Sequence, residues 1–140
     1  MSSDRLVGIL SILIGIFALS SFFIFDRSKL IFYQSDIFLI RYSLAISIAN
    51  AGLVFVVMGV LLYKQLLVPY LSKSATKYER AKNETCTILL SIPIWISISA
   101  YVFLECDRGV LKAGWSMLMI YVLWRLVSDL RILGKGNMPP

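Results

Sequence analysis

The chain has 140 residues, of which 59% are hydrophobic and only 16% carry a charge, with a formal net charge of +6. Soluble domains carry a charge on about a quarter of their residues, so this composition argues against a water-soluble domain. Histidine is absent and there are two cysteines, which argues against haem, zinc, copper and iron–sulfur chemistry. We expect no cofactor and no catalytic metal.

Three runs contain no charged residue, and they cover residues 6–25, 42–63 and 86–104. A hydrocarbon core about 30 Å thick is crossed by roughly 20 apolar helical residues, so each run is long enough to span a membrane. The first run is longer than the roughly 7–15 residue core of a signal peptide. We therefore expect it to remain in place as a membrane anchor.

Small residues recur at helical spacing on the first two predicted spans. The two stripes consist of Gly8, Ser11, Gly15 and Ala18, and of Ala45, Ala49, Gly52 and Gly59. Small residues let helix backbones approach closely, which is a main route to helix packing in lipid. Two interpretations are open: the stripes pack the two spans against each other, or they form a face for a partner protein or a second copy.

The second span also carries a polar strip of Ser43, Ser47 and Asn50. An unpaired amide in hydrocarbon costs several kcal/mol, so Asn50 must face another helix, a partner or water. One interpretation is an interhelical hydrogen bond to Ser97 or Ser99. The other is that Asn50 lines a small polar pathway.

A fourth candidate span, residues 109–127, carries Lys112 and Arg125 near its two ends. Long cationic side chains near helix ends can reach the membrane interface, and Trp115 and Trp124 lie where interfacial aromatic residues are common. We therefore expect this segment to cross the membrane as well.

Other residues predict helix ends, a bend and an ion pair. Asp36 and Asn83 are suitable N-caps for the second and third spans. Pro93 predicts a kink that frees a carbonyl, with Ser91 or Ser97 as a donor to it. Arg125 and Asp129, at positions i and i+4, predict a pair on the surface of the last helix.

The basic residues predict the orientation of the chain. Four spans place nine of the fourteen Lys and Arg residues on the side that holds both termini and the loop 64–85, and five on the other side. The positive-inside rule then predicts cytoplasmic termini. The expected fold is one all-α domain over residues 1–140, an integral membrane bundle of four transmembrane helices, in a bacterial inner membrane.

The loop 64–85 is the longest stretch that looks soluble, and Lys73, Lys77 and Arg80 would share one face of a short helix in it. Such a face can contact anionic lipid headgroups. The alternative is that these residues serve only as a topology signal. Their charge is too small to predict nucleic-acid binding.

The expected function follows from what the spans lack. The four predicted spans contain no Asp or Glu, which a proton-coupled exporter would need, and no nucleophile–base arrangement is visible, so we expect no enzyme. We expect a protein that acts by contact with another membrane protein, as an accessory subunit or an inhibitory or immunity-type protein. The alternative is a small channel or transporter, in which several copies enclose a polar path near Asn50.

Overall fold

The computed structural model describes residues 3–24, 31, 34–69, 72–73 and 75–135. Its helices are α1 (Ser3–Ile24), α2 (Phe38–Arg41), α3 (Ser43–Tyr63), α4 (Lys77–Leu90), α5 (Ile92–Ala100) and α6 (Gly109–Lys135), with a π-helix, π1 (Tyr101–Glu105), directly after α5. Helices account for 84% of the described residues, and these residues contain no strand.

Three helices, α1, α3 and α6, are long and apolar enough to cross a membrane. The pair formed by α4 and the α5–π1 segment passes the same test as a unit, although the two halves are bent by 49° relative to each other. The prediction of an all-helical chain with several helices suited to a membrane is therefore confirmed, with three such helices or up to four if the bent pair is counted as one.

Helices α1 and α3 lie antiparallel, with Gly8 beside Gly59 and Gly15 beside Gly52. The guanidinium of Arg5 lies 5.6 Å from the centre of the Tyr63 ring, so the start of α1 is next to the end of α3. The start of α4 is next to the end of α6, because Lys77 and Ile132 line the same small cavity. We call the part of the molecule that holds the starts of α1 and α4 and the ends of α3 and α6 the basic end.

The predicted third span, 86–104, differs from what the structure contains. Its helix begins at Lys77, within the predicted loop 64–85, and Thr76 caps it by accepting a hydrogen bond from the Glu79 amide at 3.2 Å. The predicted cap Asn83 was wrong: it lies inside α4 and donates to the Val68 carbonyl at 3.0 Å. The sequence alone does not distinguish an Asn that caps a helix from an Asn that bonds to a neighbouring loop, because both precede an apolar run.

The predicted cap Asp36 was also wrong. No side chain caps α2, and the Ser35 hydroxyl accepts the hydrogen bond from the Ile37 amide at 3.2 Å instead. The same hydroxyl donates to Glu105 at 3.0 Å, which ties this segment to the end of π1. Ser35, which also contacts Glu105, therefore accepts the hydrogen bond that was predicted for Asp36.

After α3 the chain turns through Gln65, whose φ of 62° lies in the left-handed region, and returns toward α4. Lys82 Nζ donates to the Leu66 carbonyl at 3.1 Å, which fastens this turn to α4. Buried Met58, Leu62 and Leu67 form the apolar core here, with Cys86 and Leu90 packed against it. The turn thus holds α4 against α3 and sets the position of the α4 side chains.

Candidate functional site

The four glycines of the two predicted stripes are buried between α1 and α3. A Cβ atom on Gly8 would lie 2.7 Å from the Gly59 carbonyl oxygen, and one on Gly15 would lie 2.6 Å from the Gly52 carbonyl oxygen. No side chain fits at such distances, so glycine is required by the close approach of the two backbones. These four residues contact each other within one chain, which leaves them no surface for a partner.

The other members of the stripes lie around this contact. Ser11 Oγ donates to the Phe55 carbonyl at 2.7 Å and so links α1 to α3 directly. Ala18 is half-buried, and Ala45 and Ala49 line a shallow apolar depression beside Phe22. None of these three alanines is fully buried.

Asn50 lies at the break between α4 and α5. Its Nδ2 donates to the Leu90 carbonyl at 2.8 Å. In an unbroken helix that carbonyl would accept from the Ile94 amide, which here donates to Ser91 O at 3.0 Å. The kink predicted near Pro93 is present, and Asn50 is the donor to the Leu90 carbonyl at this break. The predicted donors bond elsewhere, Ser91 Oγ to the Thr87 carbonyl and Ser97 Oγ to the Leu39 carbonyl.

The predicted partners of Asn50 are used elsewhere. Ser97 Oγ donates to the Leu39 carbonyl at 2.7 Å, and Ser99 Oγ accepts from Trp115 Nε1 at 2.8 Å. The specific prediction of an Asn50 bond to Ser97 or Ser99 was therefore wrong. Asn50 Oδ1 is buried and has no hydrogen-bond partner among the residues that the structure describes.

Ser43 and Ser47 face a different feature, a groove of about 710 Å³ between α3, α5–π1 and α6. We call it the α3–α6 groove. Tyr101, Trp115 and Leu118 line it together with the two serines, and most of its lining is apolar. The polar strip read from the sequence is thus divided, because Asn50 turns toward α4 while the serines face α6.

The charged residues form a cluster that the sequence interpretation missed. Arg125 on α6 pairs with Glu84 on α4, with Nε 2.8 Å from Oε1 and Nη2 2.7 Å from Oε2. The side chains of Arg125 and Glu84 are 33% and 19% exposed, so solvent screens this pair only in part. Arg125 and Asp129, predicted as a pair, attract each other electrostatically, but the close salt bridge of Arg125 is with Glu84.

Asp129 lies one helical turn beyond Arg125 and is 4% exposed. Its Oδ2 atom is buried without a hydrogen-bond partner in the described part of the chain. It lines a cavity of about 270 Å³ between α4 and α6, which we call the α4–α6 pocket. A buried carboxylate oxygen without a donor is uncommon, so this pocket is a candidate binding site.

The three basic residues of the predicted loop do not share one face. Lys77 and Arg80 lie on the first turn of α4 and line the α4–α6 pocket, whereas Lys73 lies in a turn before the helix. All three are exposed. Lys77, Arg80 and Glu84 are spaced so that they lie on one face of a helix. A predicted helix that began at Lys77 would therefore have placed these three charged residues together.

Comparison of the chain with protein-family models, with curated proteins and with solved structures finds no match. The function is therefore argued from the helix surfaces, the groove and the pocket described above.

Proposed function

We propose that this chain forms a bundle of four transmembrane helices in a bacterial inner membrane, with both termini in the cytoplasm. It acts by contact with another membrane protein, as an accessory subunit or an inhibitory or immunity-type protein. The bias of basic residues toward the basic end supports this orientation. The small size and the apolar helix surfaces support action within the membrane.

The observation that carries this proposal is Gly114 on α6. A Cβ atom built on Gly114 would meet no atom of the described residues within 4 Å, whereas Gly8, Gly15, Gly52 and Gly59 each lie against a neighbouring backbone. Glycine inside a helix costs about 1 kcal/mol relative to alanine, and a close helix contact is the usual reason for it in a membrane. Gly114 also lines the α3–α6 groove.

The surface of α6 supports the same proposal. Asp129 is the only buried residue of this helix in the described chain, and Met117, Ile120 and Trp124 are exposed. Lipid alone can cover such side chains, but it does not account for an unpacked glycine beside a groove. We infer that a helix of the partner protein lies in the α3–α6 groove and approaches α6 at Gly114.

The test is recovery of the partner in mild detergent with a photoreactive residue at Leu118. We expect one stoichiometric crosslinked complex, lost in Gly114→Leu because the added side chain fills the contact. Gly134→Leu is the matched control, since Gly134 also lies on α6, has no described atom within 4 Å of its Cβ position, and does not line the groove. A complex that survives Gly114→Leu, or a crosslink to lipid only, would contradict the proposal.

A small channel or transporter is the second candidate. The bent pair and the unpartnered Oδ1 atom of Asn50 favour it, because broken helices with exposed polar groups bind solutes in many transporters. Several copies would be needed to enclose a path. Flux from purified protein in liposomes that changes in Asn50→Ala supports this candidate, and tight liposomes with only a lower melting temperature of the variant argue against it.

A further inference from the structure

The α4–α6 pocket at the basic end combines charges of both signs in a small volume. Its residues from α4 are Lys77, Arg80, Ala81 and Glu84, and those from α6 are Arg125, Ser128, Asp129 and Ile132. Lys77 and Arg80 are exposed at its rim, and Asp129 is buried at its wall. A ligand with one positive and one negative group would match this arrangement.

Asp129 is the feature that points to a ligand. Both Glu84 carboxylate oxygens accept hydrogen bonds from Arg125, and the Asp129 carboxyl lies against that of Glu84 with its Oδ2 atom buried and without a donor in the described residues. A buried carboxylate is costly unless a donor or an opposite charge reaches it. A primary ammonium group supplies both, and Asp129 is one of the residues that line the pocket.

The rim supplies the site for the negative group. Lys77 lies in the first turn of α4, four residues before Ala81, or about 6 Å along the helix axis at 1.5 Å per residue. Arg80 lies in the same first turn, where the helix dipole also favours an anion. Lysine and arginine side chains bind phosphate well.

We propose that the α4–α6 pocket binds a phosphoethanolamine group, with its ammonium hydrogen-bonded to Asp129 and its phosphate held by Lys77 and Arg80. The group is available as the headgroup of a membrane phospholipid or as a free soluble compound. A choline headgroup has no N–H donor for Asp129, and a purely anionic headgroup has no cation for it. The pocket therefore distinguishes headgroups by chemistry and not only by net charge.

The first experiment needs no variant. The purified full chain is mixed in detergent with phosphatidylethanolamine, its mono- and dimethylated forms, phosphatidylcholine or phosphatidylglycerol, and the bound lipid is measured by native mass spectrometry. We expect phosphatidylethanolamine to bind about ten-fold or more tightly than phosphatidylcholine, because one charge-assisted hydrogen bond is lost. Equal retention of phosphatidylcholine, or stronger retention of phosphatidylglycerol, overturns the proposal.

Variants then locate the site. Asp129→Asn should remove the preference for ethanolamine over choline, and Lys77→Gln with Arg80→Gln should weaken binding of phosphatidylethanolamine about ten-fold without unfolding, since both side chains are exposed. Arg131→Gln is the control, as an exposed basic residue of α6 outside the pocket. If Asp129→Asn does not fold, the lysine–arginine variant decides. Unchanged binding in that variant overturns the proposal.

The source of the group is separated by competition. Free phosphoethanolamine that displaces the lipid at comparable concentration supports the site with a soluble ligand. Displacement only by intact phosphatidylethanolamine supports it with a lipid ligand. Failure of both to compete, while lipid still binds, places the lipid elsewhere and overturns the assignment to this pocket.

Discussion

At the scale of single residues, one polar side chain supplies a hydrogen bond that the bent helix pair leaves open. Asn50 on α3 donates to the Leu90 carbonyl, which the break between α4 and α5 deprives of its helical donor. A free carbonyl in an apolar environment costs several kcal/mol. The Asn50 side chain therefore stabilises the break between α4 and α5.

Replacing Asn50 tests this role. We expect Asn50→Leu to lower the free energy of unfolding by about 1–2 kcal/mol, because the Leu90 carbonyl loses its donor. Ser47→Ala, one turn away on the same helix, is the control, with an expected change within about 0.5 kcal/mol. The measurement is thermal or denaturant unfolding in a fixed detergent. An equal effect of the two substitutions would argue against the Asn50–Leu90 bond.

The ion pair between α4 and α6 gives a second prediction at this scale. A double-mutant cycle of Glu84→Ala and Arg125→Ala should give a coupling free energy of about 1–2 kcal/mol, because the pair is bidentate and partly buried. A cycle of Arg125→Ala with Asp129→Ala should give less than about 0.5 kcal/mol. A larger coupling free energy between Arg125 and Asp129 than between Arg125 and Glu84 would contradict this prediction and support the pair predicted from the sequence.

At the scale of helices, the tightest contact is the antiparallel pair of α1 and α3. Gly8 faces Gly59 and Gly15 faces Gly52, so the two backbones touch at two points. Ser11 lies between these points and donates to α3. Dispersion contacts between close backbones hold membrane helices together where lipid is as apolar as the side chains.

A larger side chain at these glycines should separate the helices. We expect Gly52→Leu to destabilise the protein by about 3 kcal/mol or more, since the new atoms meet Leu19 and the backbone at Gly15. Gly114→Leu should change the free energy of unfolding by less than about 0.5 kcal/mol, because a Cβ atom at this position has no neighbour within 4 Å in the described part of the chain. Unfolding of both variants in detergent, with helicity followed by circular dichroism, provides the comparison.

At the scale of the whole molecule, the bent pair determines the topology. If α4 and the α5–π1 segment cross the membrane as one unit, the chain has four spans, and if they return to the same side, it has three. The two possibilities differ in where the connection between π1 and α6 lies, and hence in which end of α6 is exposed to the cytoplasm.

Cysteine labelling distinguishes these topologies. With Cys86 and Cys106 replaced by alanine, single cysteines are introduced as Lys64→Cys, Asp107→Cys and Lys135→Cys, all at exposed positions. An impermeant maleimide should label the first and third from the same side and Asp107→Cys from the other, as the charge bias predicts. Labelling of Lys64→Cys and Asp107→Cys from one side would establish three spans.

Much of the helix pattern could be read from the sequence. The predicted span 42–63 agrees with α3 to within one residue, and 6–25 overlaps almost all of α1. These two spans could be predicted because a long run without charged residues is typical of a transmembrane helix and of few other structures. The start of α4 was not, because the polar residues of its first turns resemble a loop when their partners on α6 are unknown.

The sequence by itself determined that the chain is helical and suited to a membrane, since apolar run length depends only on local composition. It also contained the glycines, but not which backbone each one meets. Only the tertiary structure decided that Asn50 bonds to Leu90, that Arg125 pairs with Glu84, and that the Oδ2 atom of Asp129 has no donor among the described residues. The physical reason is that a polar group in an apolar setting is satisfied by whichever group packing brings near, and sequence spacing does not specify packing between helices.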